Sequence, residues 1–243
     1  MDRGLYIAAT GMYAELTRQD QLANDLANSS TPGYKPTRAP QTSFGDTLVT
    51  NAQGQTVGSI GLGVQVDAPQ VDLTQGPSIQ TNQPLDVELI GQGFLTVKTA
   101  TGTAYTRDGQ LTTDANGQVL TSTGETVLDS QGQPITIPPG SSPQIGTDGT
   151  ITVGGKTVAK LGLATLSGSI VKLGDNLFTG TAGAAPAGTL VRQGYLEGSG
   201  ADAAKSMIDM IVSMRAYESS QKVIQAIDET LQKGISTGSA NGA

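Results

Sequence analysis

The sequence predicts a mainly β protein with a long α-helix at each end of the chain. Apolar residues step by four and three between about residues 3 and 28, and again between about 201 and 233, which predicts the helices. Between them, glycines fall every seven or eight residues from 102 to 140 and separate short β-branched runs. We therefore expect the helices to pair as a coiled-coil-like stalk beside an antiparallel central domain, either a β meander or a small barrel-like sandwich.

The same patterns divide the 243 residues into five segments. They are an N-terminal helix and turn (1–33), an extended arm with short strands (34–82), a central antiparallel β domain (83–198), a C-terminal helix (199–235) and a flexible tail (236–243). Gly234 is expected to end the second helix. The small polar residues beyond it are expected to be disordered in isolation.

The first helix carries an apolar seam with heptad spacing, interrupted by Gln19. A seam of this kind is a subunit-packing or helix-pairing surface. Its residues are Leu5, Ala9, Met12, Leu16, Ala23 and Leu26. The helix is expected to end in a turn that contains Asn28, Thr31, Pro32, Gly33 and Tyr34. Pro32-Gly33 suits the centre of a type II turn, and the proline pushes the residue before it out of the α region.

The central segment is predicted to form short strands joined by tight turns. Asp108-Gly109, Asn116-Gly117 and Asp148-Gly149 are dipeptides typical of hairpin turns. Upstream, Leu85, Val87 and Leu89 alternate with Asp86 and Glu88. This alternation predicts a half-buried strand whose two carboxylates face solvent.

The C-terminal helix carries a wider apolar surface than one coiled-coil seam needs. The residues predicted to pack against other subunits are Met207, Ile208, Met210, Ile211, Met214, Tyr217, Ile224 and Leu231. Two helices alone cannot cover all of these side chains, and leaving several exposed costs several kcal/mol at about 25 cal/mol per Å². The simplest remedy is a neighbouring copy, and a surface offered on two sides favours open helical polymerisation.

Composition excludes several classes of function. The chain has no Cys and no His, so it contains no disulfide, thiolate nucleophile, Ser-His-Asp triad or Cys- or His-ligated metal. Its formal net charge is −7 without a basic cluster, which disfavours nucleic acid as a partner. The sequence thus predicts no catalytic residues, no metal, no cofactor and no small-molecule substrate. It also lacks a recognisable cleavable signal peptide.

Several motifs in order resemble those of the bacterial flagellar basal-body rod and hook proteins. LANDLANSSTPGYK (22–35) carries the first resemblance, followed by PLDVELIGQGF (84–94) and AYTRDG (104–109). GYLE (194–197) and MRAYE (214–218) complete the series. The length and the segment GQPITIP (132–138) are most similar to the proximal rod protein, with the distal rod protein as the near alternative.

The resemblance implies a structural subunit of the basal-body rod rather than an enzyme. It implies that the chain packs against itself and other rod and hook subunits to form a hollow drive shaft. It also implies passage through the flagellar type III export apparatus. Two other classes stay open from the residues alone: a carboxylate-based glycoside hydrolase, for which the sequence has no Trp, and a β-rich surface binding module.

Overall fold

The computed structural model describes residues 2–50, 56–184 and 188–240, and it confirms a mainly β chain with a helix at each end. Helix α1 spans Asp2–Ala27 and helix α2 spans Ala203–Ala240. The first strands are β1 (Thr37–Arg38), β2 (Gln41–Ser43), β3 (Asp46–Thr50), β4 (Thr56–Gly61), β5 (Val64–Val66), β6 (Gln70–Val71), β7 (Ser78–Gln80), β8 (Val87–Ile90), β9 (Phe94–Thr99) and β10 (Gly102–Thr106). They are followed by β11 (Leu111–Thr113), β12 (Val119–Thr121), β13 (Thr126–Val127), β14 (Gln144–Ile145), β15 (Thr150–Val153), β16 (Lys156–Lys160), β17 (Leu163–Gly174), β18 (Leu177–Ala184), β19 (Leu190–Gln193) and β20 (Tyr195–Glu197).

The chain divides into two compact units. The first comprises residues up to Leu26, Thr37–Gln70 and the chain from Ala203 onward. The second comprises Ala27–Pro36 and Val71–Asp202. The turn at residues 28–34 (the motif turn) and the end of the arm (71–82) belong to the second unit together with the β strands. The boundaries predicted for the arm and the β domain therefore differ from the boundaries of the compact units.

In the first unit, α1 and α2 run antiparallel and touch through small residues. Ser213 Oγ donates a hydrogen bond to Glu15 Oε2 at 2.6 Å. A Cβ placed on Gly11 would lie 3.9 Å from Ser220 Oγ, and one on Gly4 would lie 3.4 Å from Ile227 Cδ1. As α1 advances from residue 4 to residue 15, its partners thus recede from 227 to 213. The same unit contains two antiparallel ribbons, β2 with β5 and β3 with β4.

The second unit is built from antiparallel sheets. A seven-stranded sheet has the order β10-β18-β17-β9-β13-β12-β11, with a further pairing of β10 and β9. Smaller sheets are β14-β15-β16, β19-β8 and β20-β7. Their inward faces share one aliphatic core. Its buried members are Val87, Leu89, Leu95, Val97, Ala104, Leu111, Val119, Val127, Ile135, Ile137, Ile145, Ile151, Leu161, Leu177 and Val191.

Three consecutive loops of the second unit share one backbone design. They are residues 114–118, 121–125 and 129–133, and each has a glycine with positive φ at its fourth position. In each loop that glycine N–H donates to the carbonyl of the first residue, at 3.0 to 3.1 Å. The first residue's side chain, Asp114, Thr121 or Asp129, accepts the N–H of the fifth residue. The predicted turn at Asn116-Gly117 belongs to this series, and Asp148-Gly149 joins β14 to β15.

The structure corrects one predicted hairpin. Asp108-Gly109 lies between β10 and β11, which do not pair with each other. Gly109 is needed for a different reason, because a Cβ there would overlap the carbonyl of Val87. Its own carbonyl accepts the Val87 N–H at 3.0 Å. From the sequence alone, a glycine that allows two backbones to approach closely cannot be distinguished from a glycine that allows a turn.

The C-terminal helix continues beyond its predicted end. Gly234 has no left-handed φ, and α2 runs through it to Ala240. Residues 236–240, assigned from the sequence to a flexible tail, are therefore helical, and 241–243 lie outside the described residues. A glycine inside a helix costs about 1 kcal/mol relative to alanine, which weakens the helix without ending it. Within the described chain, neither helix is long and apolar enough to cross a membrane.

Candidate functional site

The predicted motif turn after α1 has the expected geometry. The Tyr34 N–H donates to the Thr31 carbonyl at 3.3 Å, which closes a β-turn with Pro32 and Gly33 at its centre. Gly33 has φ of 67°, the left-handed value that a type II turn requires at this position. The Thr31 N–H donates to the Asn28 carbonyl at 3.1 Å, so the end of α1 leads directly into the turn.

The motif turn lies directly on the backbone of the AYTRDG segment. A Cβ on Gly33 would overlap the carbonyl of Arg107. The Gly33 N–H donates to the Glu197 carbonyl at 2.8 Å, and the Gly200 N–H donates to the Tyr34 carbonyl at 2.8 Å. Three segments that are distant in sequence therefore meet at one backbone junction.

A buried charge cluster lies at this junction. Lys35 Nζ is 2.6 Å from Glu197 Oε1, and Arg107 Nη1 is 3.0 Å from Glu197 Oε2. All three side chains are at most 3% exposed. The Gly76 N–H also donates to Glu197 Oε1, at 2.8 Å. Burial lowers the pKa of Lys35, while the hydrogen bond and the charge of Glu197 act in the opposite direction.

Arg107 uses its guanidinium to hold several backbone segments together. Nη1 donates to the Leu89 carbonyl at 3.3 Å and Nη2 donates to the Gly91 carbonyl at 2.6 Å. The guanidinium carbon lies 5.1 Å from the centroid of the Phe94 ring, a cation–π distance. Its Nε is buried and has no hydrogen-bond partner in the described part of the chain.

The β17–β18 hairpin holds the motif turn from another side. Its two-residue turn is Asp175-Asn176, and both residues have positive φ. Asn176 Nδ2 donates to the Pro32 carbonyl at 2.9 Å. Lys172 Nζ donates to the Lys35 carbonyl at 3.1 Å and lies 3.7 Å from the centroid of the Tyr34 ring. The sequence analysis did not single out this hairpin, because neither of its turn residues is glycine.

The expectation that Asp86 and Glu88 face solvent is wrong. Both are buried, at 6% and 2% exposure. Glu88 Oε2 lies 3.4 Å from Arg192 Nη1 and accepts a hydrogen bond from Ser78 Oγ at 2.7 Å. Because β8 is covered on both faces, its alternating pattern reflects a polar layer inside the unit rather than a solvated one.

Helix α1 presents three different faces. One touches α2 through Gly4, Gly11 and Glu15. A second holds the arm: Thr10 Oγ1 accepts the Val64 N–H at 3.3 Å, and the Ala14 carbonyl accepts Gln41 Nε2 at 3.0 Å. The third is exposed. Its large side chains, 39–66% accessible, are Leu5, Tyr6, Tyr13 and Leu16.

Four of the six predicted seam residues of α1 are exposed. Leu5, Ala9, Leu16 and Ala23 are exposed, and Met12 and Leu26 are half-buried. The residues that the single chain does bury on α1 include Ala8, Ala14 and Leu22. Ala8 and Leu22 each precede a seam residue by one position, so neighbouring positions of the helix divide between the buried and the exposed side.

Helix α2 divides its predicted packing residues between two faces. Met210, Tyr217, Ile224 and Leu231 are half-buried, in heptad register with Ser206 and Ser213, which are buried. The remaining predicted residues lie on an uncovered face with Val212 and Val223. This exposed set, 48–62% accessible, is Met207, Ile208, Ile211, Val212, Met214 and Val223. Of the described residues, no group of three or more potential ligands could hold a metal ion.

A β-rich unit fastened by buried charges, together with two terminal helices that keep apolar faces uncovered, defines a structural protein. Three models of known protein families match parts of the chain, and their descriptions are consistent with a structural protein. A model described as "Flagella basal body rod protein" matches residues 5–35, and one described as "Flagellar hook protein FlgE/F/G D1 domain" matches 89–153. A third, "Flagellar basal body rod FlgEFG protein C-terminal", matches 192–237.

Curated relatives match over nearly the whole chain. The flagellar basal-body rod protein FlgG of Agrobacterium fabrum is 38% identical, over 93% of this chain and 96% of the relative. FlgF of Escherichia coli is 34% identical, over 94% and 95%. FlgG of Bacillus subtilis is 33% identical, over 96% and 98%. The chain belongs to the flagellar basal-body rod protein family.

Proposed function

We propose that this rod subunit polymerises through its terminal helices into the hollow shaft that transmits torque from motor to hook. The supporting observation is the uncovered apolar surface of the helices, Leu5, Leu16 and their neighbours on α1 and Met207, Ile211 and Met214 on α2. Burying these side chains between copies is favourable by about 25 cal/mol per Å². The exposed residues of the predicted seams would thus be buried against the helices of the next copy.

The role proposed is mechanical, with no catalytic residue and no cofactor. We assign the intrachain helix pair to a coiled-coil-like stalk, supported by the heptad series on α2 that includes Ser213 and Ser220. A barrel-like β unit is supported by the pairings β9–β10, β10–β18, β18–β17 and β17–β9, which follow one another in a ring. The partners are other rod and hook subunits and the type III export apparatus, and the location is the basal body.

The position along the rod is proposed as proximal, with distal as the alternative. The proximal assignment rests on the length and on residues 132–138. Relatives named FlgF and FlgG match at similar identities: 34% for FlgF of Escherichia coli and 38% for FlgG of Agrobacterium fabrum. Immunolabelling of the chain along isolated rods separates the two positions.

Single cysteines test the packing surface, since the chain has no competing thiol. Leu16→Cys and Met214→Cys lie on the uncovered helix faces, and Gln131→Cys on an exposed loop of the second unit is the matched control. In isolated basal bodies, we expect both helix cysteines to be shielded from alkylation by a maleimide and the cysteine of Gln131→Cys to be alkylated. Helix sites that stay free for alkylation in assembled rods would contradict the proposal.

A further inference from the structure

The chain passes between its two compact units at four places, after residues 26, 36, 70 and 202. On the side of the second unit, three connecting segments carry these passages: residues 27–36, 71–76 and 197–202. The first of them carries two passages, because the chain both enters and leaves the second unit there. Every covalent connection to the rest of the chain therefore reaches the β strands through these three segments.

Backbone hydrogen bonds tie the first connecting segment to the other two. The Gly200 N–H donates to the Tyr34 carbonyl at 2.8 Å, which joins the first segment to the third. The Asp72 N–H donates to the Pro36 carbonyl at 2.9 Å, which joins the first segment to the second. Both bonds lie within the second unit and close to a point where the chain leaves it.

The side chains of Lys35 and Glu197 bond across all three segments. Lys35 Nζ donates to the Thr74 carbonyl at 2.5 Å and lies 2.6 Å from Glu197 Oε1. The Gly76 N–H donates to the same carboxylate oxygen at 2.8 Å. One buried ion pair thus connects the first segment to the third and reaches the second from both of its ends.

These segments are held by polar contacts rather than by the aliphatic core. Among the described residues, that core contains no member of the three connecting segments. Arg107 instead links them to the strands, since Nη1 bonds both Glu197 Oε2 and the Leu89 carbonyl on β8. Apolar burial is non-directional, whereas hydrogen bonds weaken steeply when donor and acceptor are displaced. The segments are therefore joined by contacts that resist sliding.

We propose that Lys35, Glu197 and Arg107 form a load-bearing clasp. The clasp holds the three connecting segments as one cooperative element that opens separately from the aliphatic core. Its mechanical role rests on the proposed function, because a shaft that transmits torque loads the connections between the helices and the β unit. Its cooperative opening is a property of the single chain and does not depend on polymerisation.

Hydrogen exchange of the isolated, full-length chain tests the clasp. In low concentrations of urea, we expect the amides of Gly33, Gly76 and Gly200 to share one opening free energy. It should be lower than that of the Val119 amide, which bonds to the Ile135 carbonyl beside the core. Three amides that open with different dependences on urea, or that open together with Val119, overturn the inference.

Lys35→Met removes the ammonium group and keeps a long unbranched side chain. Exchange of the same three glycine amides is expected to become about tenfold faster, while the Val119 amide keeps its original rate. Unchanged exchange of the glycine amides overturns the inference.

Arg192→Met is the matched control, because it also removes the cation paired with a buried carboxylate, that of Glu88. The partners of Arg192 are Glu88, Ser78 and the Tyr195 ring, all outside the connecting segments. This variant is expected to leave exchange of the three glycine amides unchanged. Faster exchange in this variant as well would show a general loss of stability and overturn the inference.

Swimming cells test the load. In a strain without its own copy, rods of Lys35→Met are expected to assemble and to drive swimming in dilute medium, but to fail in viscous medium, where the torque is higher. Rods of Arg192→Met should drive swimming in both. Equal swimming of the two variants, or failure of Lys35→Met to assemble, overturns the load-bearing role. Alkylation of the Met214→Cys site in assembled rods contradicts the helix-packing function instead.

Discussion

At the scale of single residues, the geometry of the motif turn depends on Gly33. This glycine meets two requirements at once, a left-handed φ of 67° and close approach to the Arg107 carbonyl. The first requirement was predictable, because Pro-Gly is a common centre of a type II turn. The second was not, because it depends on a backbone segment more than seventy positions away in the chain.

Gly33→Ala and Gly132→Ala separate these two requirements. Gly132 also has positive φ, 79°, but a Cβ there meets nothing within 4 Å. We expect Gly132→Ala to cost about 1 kcal/mol from backbone strain, and Gly33→Ala to cost about 3 kcal/mol because rigid backbone must also move. Urea unfolding of both variants measures the difference. Equal costs would show that the close approach relaxes freely.

The buried carboxylate Asp108 makes stability depend on pH. Burial raises its pKa, and the Asp86 and Glu125 charges add to this against hydrogen bonds from Ser122 and the Gln110 N–H. The Asp108 carboxyl group therefore stays protonated to higher pH in the folded chain than in the unfolded chain, where the pKa of Asp is about 3.9. In that window the native state binds more protons, so this residue lowers the free energy of unfolding as pH rises.

Asp108→Asn removes this titration. The difference in melting temperature, variant minus original, is expected to rise as pH increases from about 3 to about 7, because only the original chain bears the cost of ionisation. Differential scanning calorimetry at several pH values gives the difference directly. Ser122→Ala, which removes a hydrogen-bond donor and keeps the carboxylate, is the control. A difference that is flat with pH would contradict the assignment.

At the scale of elements, the helices were easier to predict than the strands. A period of 3.6 repeated over seven turns is a strong signal, and the ends of α1 fall within one residue of the predicted ones. The strand pattern at Leu85–Leu89 was misinterpreted, because alternation alone does not show that Ser78 and Arg192 cover the polar face. The β17–β18 hairpin was missed because Asp175-Asn176 lacks the usual glycine.

One contact between α1 and α2 is a hydrogen bond from a buried hydroxyl, that of Ser213 to Glu15. Ser213 is 0% exposed and bonds to Glu15, whereas Ser219 on the same helix is exposed. Both Ser→Ala changes raise helix propensity equally, so their difference isolates the hydrogen bond. We expect Ser213→Ala to be less stable than Ser219→Ala by about 1 kcal/mol in chemical denaturation followed by circular dichroism. Equal stability of the two variants would mean that the Glu15 carboxylate finds another hydrogen-bond donor at no cost in free energy.

At the scale of the whole molecule, the three matched family segments each contribute one member of the charge cluster. Lys35 comes from residues 5–35, Arg107 from 89–153 and Glu197 from 192–237. The sequence analysis found all three motifs but assigned no interaction among them. Their meeting depends on the topology of the β unit, which local patterns do not specify. The open helix faces, in contrast, were predictable, since a wide apolar surface exceeds what one partner helix covers.

The ion pair between Lys35 and Glu197 closes across 162 positions of chain. A ribosome that has made the lysine must add nearly all of the β unit before its counter-ion exists. Until then the ammonium group stays in water, since burying it alone would be costly. Completion of this unit therefore comes near the end of synthesis. A nascent chain that ends before Glu197 therefore lacks this ion pair.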